Sequence, residues 1–263
     1  MKYAIISDIH ANPLALTRVL EECDRMGVGQ IVCAGDVVGY GPDPAAAIRI
    51  LRERNIPTAM GNHDAAVAGL RDESEMIATG QVTVLRHRAE LDEADVRWLR
   101  SLPYVCELGG FAVAHAGFYR PEEMRYTFDK TDARSSFVHR SESLLFIGHT
   151  HIEALFAFGL ASDPKFPECM RVPPRDFRMV AGWQYMVNVG SLGYPRDHRY
   201  SSFVTFDADS QTVRYHRAPF DFEAYAESLR ERSIPIPPWV FENRQVRSRL
   251  YRPAEVSGDA ESR

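Results

Sequence analysis

Three observations in the 263-residue sequence predict an α/β (α+β) fold. Through Met60, short apolar runs alternate with stretches of helical periodicity, the pattern of parallel strands joined by crossover helices. Beyond residue 102 the runs are mostly of β type and are separated by turn residues. Several runs end abruptly in Asp, His or Asn, at the carboxyl edge where open α/β sheets place their ligands.

Residues 3–7 form a first strand. Asn12-Pro13 then leads into residues 14–23, whose apolar positions recur at helical spacing until Gly27 ends the helix. Residues 30–34 are a second strand and complete a βαβ unit. After a turn-rich loop over 39–44, residues 45–54 read as a helix. Residues 56–60, short, apolar and bounded by Gly61, read as a third strand. The pattern over 65–102 is helical, and Asp92-Glu93-Ala94-Asp95 supplies an acidic start for the helix carrying Trp98 and Leu99. With His87 as its one histidine, this stretch has no ligand cluster of its own and is expected to cover the sheet and wall a cleft.

Residues 105–108 and 111–114, joined by Gly109-Gly110, have the length and turn signal of a β-hairpin. Strands follow over 143–147, 154–158, 179–189, 201–206 and 212–216, in a half that reads as mostly antiparallel. Residues 161–178, rich in Pro and charge, read as an exposed loop, and 221–232 as a helix. The expected organisation is one domain over 1–251, with a frayed tail over 252–263. The apolar stretch 234–241 has either the chain's own core or a second copy to dock on, so a homo-oligomer stays open.

Composition narrows the function classes. The formal charge of −5 comes without a basic stripe, so no long nucleic acid is expected as partner. Cys23, Cys33, Cys106 and Cys169 lack CxxC spacing and read as reduced core residues. The apolar start meets Asp8 too soon for a signal peptide, and no run approaches a membrane span, so a cytoplasmic protein is expected, with no membrane partner.

The chemistry is concentrated in five strand ends: Asp8-Ile9-His10, Gly35-Asp36, Gly61-Asn62-His63-Asp64, His115 and Gly148-His149-Thr150-His151. Each alone reads as readily as a turn or a hydrogen-bonded core residue. Together they gather carboxylates, an amide and imidazoles, the ligand types that hard and borderline divalent cations take. Asp8 and His10 are two residues apart, as are His149 and His151, so each pair can turn toward one ion. A two-ion site is most easily held by a shared ligand, and Asp36 is the natural bridge.

In this order and spacing the five pieces resemble the motif series of the calcineurin-like metallophosphoesterases. The openings Ser7-Asp8-Ile9-His10-Ala11-Asn12 and Gly35-Asp36-Val37-Val38-Gly39-Tyr40-Gly41-Pro42 are most similar to its small prokaryotic phosphodiesterase and diadenosine-tetraphosphatase-like branch. The resemblance implies two facing mixed β-sheets flanked by helices and two divalent metal ions, manganese first among Mn, Fe, Zn, Ni and Co. One ion is expected on Asp8, His10, Asp36 and His151, and the other on Asp36, Asn62, His115 and His149. His63 is then left unligated as the general acid, and water activated between the ions is the nucleophile. Asn12 and Arg196 are candidate contacts to substrate phosphate, Arg196 following the turn Asn188-Val189-Gly190-Ser191.

One departure bears on substrate. The family's protein phosphatases read Gly-Asp-x-Val-Asp-Arg-Gly, with an Arg that grips phosphate; this chain has Tyr40 in place of that Arg. A diester carries less charge than a monoester and needs less cationic help, so hydrolysis of a small nucleotide or other phosphodiester is the expected activity. A dinucleoside polyphosphate hydrolase, a phosphoprotein phosphatase and a metal-holding scaffold without catalysis are the alternatives.

Overall fold

The computed structural model describes residues 1–159, 168–196, 200–237 and 240. Two mixed sheets pack face to face. The first runs in the order β2-β1-β10-β11-β8, built from β1 (Lys2–Ile6), β2 (Gln30–Cys33), β8 (Phe177–Arg178), β10 (Tyr200–Asp207) and β11 (Thr212–Pro219). The second runs in the order β3-β4-β5-β9-β6-β7, from β3 (Val105–Glu107), β4 (Phe111–Ala114), β5 (Leu144–Ile147), β6 (Ala154–Gly159), β7 (Glu168–Val172) and β9 (Trp183–Asn188).

Side chains alternate across each strand and sort the core into layers. Ile5 of β1, Val113 of β4, Phe146 of β5 and Val204 of β10 meet between the sheets. Ala4 and Ile6 turn outward instead, under α1 (Pro13–Arg25), α2 (Pro44–Glu53), α3 (Asn62–Val67), α4 (Ala78–Glu90) and α5 (Glu93–Ser101). On the far face, Ala112, Leu145 and Phe156 pack against Ala133 and Phe137 of α6 (Lys130–His139). Strands covered on both faces must be apolar throughout, which is why β4 and β5 read as unbroken apolar runs.

This architecture sets the carboxyl ends of two parallel pairs on one rim. β1 pairs parallel with β2 and ends before Asp8, while β2 ends before Asp36; β4 pairs parallel with β5, and their ends lead into His115 and His149.

Two readings are corrected. Residues 56–60 do not form a third strand: they meet β2 only at Thr58, through the Cys33 N–H to Pro57 O (2.8 Å) and the Ala59 N–H to Cys33 O (2.9 Å). Pro57 has no N–H to extend the ladder, and the chain turns at Gly61. Residues 168–172 and 177–178, expected in a loop, are strands, the former antiparallel to β6. The second half is mostly antiparallel, as expected, the parallel pairs being those of β5 with β4 and β9. Residues 160–167 and the expected tail 252–263 lie outside the described residues. Ile234 and Val240 pack with α7 (Phe222–Glu231), so these two residues dock on the chain's own core. No helix among the described residues is long and apolar enough to cross a membrane.

Phe146 is fully buried between the sheets, so Phe146→Ala should cost about 3–5 kcal/mol through lost contacts and a residual cavity. Urea unfolding followed by circular dichroism is expected to show the loss as a lower midpoint with an unchanged slope.

Candidate metal centre

The rim gathers two groups of buried side chains whose ligating atoms lie within 4.8 Å of one another: Asp8, His10, Asp36 and His151, and Asp36, His115 and His149. Asn62 joins the second group, its Oδ1 lying 3.1 Å from His115 Nε2. All seven residues expected as metal ligands are therefore brought together, and Asp36 belongs to both groups.

Each carboxylate divides its oxygens between scaffold and cluster. Asp36 Oδ1 accepts the His63 N–H (2.9 Å), while Oδ2 faces inward, 3.3 Å from His115 Nε2 and 3.7 Å from His10 Nε2. Asp8 Oδ2 accepts the His149 N–H (3.0 Å), while Oδ1 lies 3.2 Å from His151 Nε2. The imidazoles are oriented in the same manner. His10 donates Nδ1–H to Val38 O (3.1 Å), His115 to Ala34 O (2.9 Å) and His151 to Tyr194 O (2.8 Å). A carbonyl only accepts, so each ring carries its proton on Nδ1 and presents Nε2 to the cluster, as an outer hydrogen bond does for a ligating His.

The backbone is bent to make this possible. Asp8, His10, Asp36, His149 and His151 all have positive φ, between 48° and 68°, a region that side chains rarely adopt. Such strain persists only where the surroundings enforce it, and it concentrates at functional sites. Gly61 serves the same packing: a Cβ there would overlap Asp36 Oδ1.

The donor set fits divalent cations. His10 Nε2 lies 3.0 Å from His151 Nε2, and His115 Nε2 lies 3.0 Å from His149 Nδ1. With the protons of His10 and His151 on Nδ1, the first of these contacts faces two nitrogen lone pairs, which repel unless a positive charge stands by them. Asp8 Oδ1 and His149 Nε2 are buried with no hydrogen-bond partner, a costly condition for a polar atom unless a ligand satisfies it.

The titration behaviour agrees. Burial alone would raise both carboxyls, yet the imidazoles of His151 and His115 hold Asp8 below the usual carboxylate range, and those of His115 and His63 do so for Asp36. Burial pushes His149 down to about 3. For His115, burial is outweighed by Asp36 and Asp8, which lift it to about 9. The cluster is built to hold positive charge.

The other expected site residues fall in different places. His63 is buried beside the cluster and lines a cavity of about 330 Å³ with Asp36, Tyr40, Asn62, Met76, Ile77, Tyr126 and Arg196 among its walls. Met76 and Ile77 belong to the helical cover, which therefore walls the cleft as expected. Arg196 is exposed on the cavity wall and makes no hydrogen bond or ion pair among the described residues. Asn12 does not reach the cavity. Its Oδ1 accepts the Ala15 N–H (3.1 Å) and caps α1, while Nδ2 donates to Gly193 O (3.2 Å), so the expectation of a phosphate contact is corrected to a helix cap.

Sequence reasoning missed three residues that hold the Asp36 loop. Asp64 Oδ1 accepts from the N–H groups of Val37 (2.9 Å) and Val38 (3.1 Å), and Oδ2 from that of Gly61 (3.0 Å). Burial and the charge of Asp36 lift its carboxyl to about 7 against the pull of these donors. His87 Nδ1 accepts the Gly39 N–H (3.0 Å) and its Nε2–H donates to Gly41 O (3.0 Å); Thr83 Oγ1 accepts the Tyr40 N–H (3.0 Å). A signal existed for Asp64, an Asp three residues after the Gly61 that opens a helix. None existed for His87 or Thr83.

With the site described, the comparisons define its class. The profile of the calcineurin-like phosphoesterase superfamily domain matches residues 1–211, and the chain belongs to that superfamily. An uncharacterized protein of Methanocaldococcus jannaschii is 30% identical over 246 residues, 91% of this chain and 95% of that one. The crystal structure of a metallophosphoesterase from Sphaerobacter thermophilus is 28% identical, with a TM-score of 0.75 and coverage of 91% of this chain and 96% of that one. A hypothetical protein from Pyrococcus horikoshii shares the fold at 18% identity, with a TM-score of 0.67 over 92% of this chain and 96% of that one.

Burial holds His87 at about 4, below its ordinary 6.5. Between those values the unfolded chain binds a proton that the folded chain refuses, so stability rises with pH and is lost as pH falls from 6.5 toward 4. The difference between wild type and His87→Gln in melting temperature should therefore shrink steadily over that window and be constant above it. A pH-independent difference would assign the acid sensitivity to other groups.

Proposed function

We propose that this phosphoesterase hydrolyses phosphodiester bonds of a small nucleotide, using two divalent ions and His63 as general acid. The observation that carries the diester reading is the charge of the cavity. Tyr40, at the place of the phosphatases' Arg, is a neutral phenol whose ionisation burial opposes, with Asp36 adding to the effect. Arg71 also lines the cavity but is paired with Glu75 and donates to the carbonyls of Glu122 and Glu123. Among the described residues that line the cavity, the one uncommitted guanidinium is that of Arg196, which suits the single charge of a diester better than the double charge of a monoester. A nucleotide is supported by Tyr126, 46% exposed and stacked on His149 at 3.9 Å, which gives the cavity wall an aromatic surface.

Divalent ions, when bound, supply Lewis acidity: they raise the acidity of water and neutralise charge on phosphate oxygens. The chain's residues do the rest. Asp8, His10, Asp36, Asn62, His115, His149 and His151 would hold the ions, Asp36 belonging to both groups. Arg196 orients the phosphate from the rim. His63 Nδ1 is buried against Gly39 without a partner, which leaves Nε2 as the nitrogen facing the cavity and the atom that delivers a proton to the departing oxygen. Burial lowers the pKa of His63 while Asp36 opposes the loss of its proton.

Manganese-reconstituted protein should hydrolyse an activated aryl phosphodiester faster than the matching monoester, and EDTA should abolish both activities. Monoester preference would overturn the diester reading, and inactivity toward both would favour a narrow anhydride hydrolase or a scaffold. Arg196→Ala should raise KM for the diester about tenfold with little change in metal content, as expected for one lost charged hydrogen bond.

A further inference from the structure

We propose that His87 and Thr83 of α4 are positioning residues for His63, through the segment Gly39–Gly41. The inference rests on the reading of His63 as general acid.

Four successive backbone N–H groups of the Asp36 loop, those of Val37, Val38, Gly39 and Tyr40, each donate to a side chain rather than to another backbone carbonyl. The first two are held by Asp64 of α3. The next two are held by His87 and Thr83 of α4, and His87 also binds Gly41 O. Both α4 residues are buried, and each is fully used. His87 has one nitrogen accepting and the other donating, which fixes its tautomer, while Thr83 Oγ1 accepts from Tyr40 and has the carbonyls of Thr79 and Gly80 within 3.0 Å for its proton.

The segment they hold forms the wall around His63. Gly39 lies so close that a Cβ there would overlap His63 Nδ1. The Tyr40 ring stands 4.5 Å from the His63 ring, in a residue whose own φ of 53° needs outside support. The third wall is Gly80 of α4, where an added Cβ would come within 3.4 Å of His63 Cε1. One helix outside the motif series thus supplies one wall of the proposed acid and fixes the other two. The metal-binding end of the loop is tied separately, by Asp64, so loosening the α4 bonds releases His63 without releasing Asp36.

That separation gives a test with a readout that overall stability does not move. Rates are measured on manganese-loaded protein with an aryl phosphodiester, whose leaving group needs no proton, and with an alkyl phosphodiester, whose leaving group does. His63→Ala is the reference and should lose about 100-fold or more on the alkyl substrate alone. His87→Ala and the near-isosteric Thr83→Val should lose about tenfold or more in kcat on the alkyl substrate and less than about threefold on the aryl one, with manganese content unchanged, by partial loss of the same step. His87→Gln, which keeps an acceptor and a donor, should recover part of the loss. Parallel losses on both substrates, no loss on either, or loss of manganese would overturn the inference while His63→Ala still discriminates. A His63→Ala enzyme that treats both substrates alike would overturn the general-acid reading and this inference with it.

Discussion

The structure depends on one electrostatic constraint: two carboxylates and four imidazoles are buried side by side on one rim. Buried acceptors at such distances are tolerable only where positive charge is supplied. The facing Nε2 atoms of His10 and His151 at 3.0 Å, the orphaned acceptors on Asp8 and His149, and the upward pull of Asp36 and Asp8 on the pKa of His115 are three expressions of that demand. Replacing a single ligand would leave its neighbours short of compensation, so the cluster behaves as a unit.

The fold answers the constraint with parallel strand pairs from both sheets. Because β1 with β2 and β4 with β5 end on one rim, residues far apart in sequence converge without a long connecting loop. The strands supply rigidity and the residues just beyond them supply direction, at the cost of left-handed backbone at five of the cluster's positions. Side chains elsewhere then secure that backbone. Asp8 and Asp36 each spend one oxygen on a backbone N–H, and three histidines each spend one nitrogen on a carbonyl. The proposed ligands are thus also fasteners of the loops that carry them.

What the sequence disclosed follows from the same division. Ligand types are few, their spacing within a strand end is narrow, and the seven cluster residues were legible for that reason. The two-layer architecture was legible through the family resemblance, and the individual strands through unbroken apolar runs such as residues 111–114 and 144–147. Residues 56–60 have the same apolar character but fail as a strand because one proline removes a donor. Asn12 was misread because an amide before a proline serves a helix start as well as a phosphate, and only the Ala15 and Gly193 bonds decide between them. His87 and Thr83 were invisible. A lone imidazole and a lone hydroxyl on a helix carry no spacing signal when their partners are backbone groups more than forty residues away.

Asn62, His63 and Asp64 show how closely these roles are packed. In an α-helix successive side chains leave the axis about 100° apart, so the first turn of α3 sends three neighbours in three directions. Asn62 reaches the cluster beside His115, His63 lines the cavity, and Asp64 turns back to the N–H groups of Val37 and Val38. An extended strand would have put Asn62 and Asp64 on one face and His63 on the other, with no third direction for the fastener. The helix must therefore begin at Asn62, and Gly61 must precede it, since the backbone there passes too close to Asp36 to carry a side chain. Proposed ligand, proposed acid and loop fastener are separable functions only because a single helical turn separates their directions.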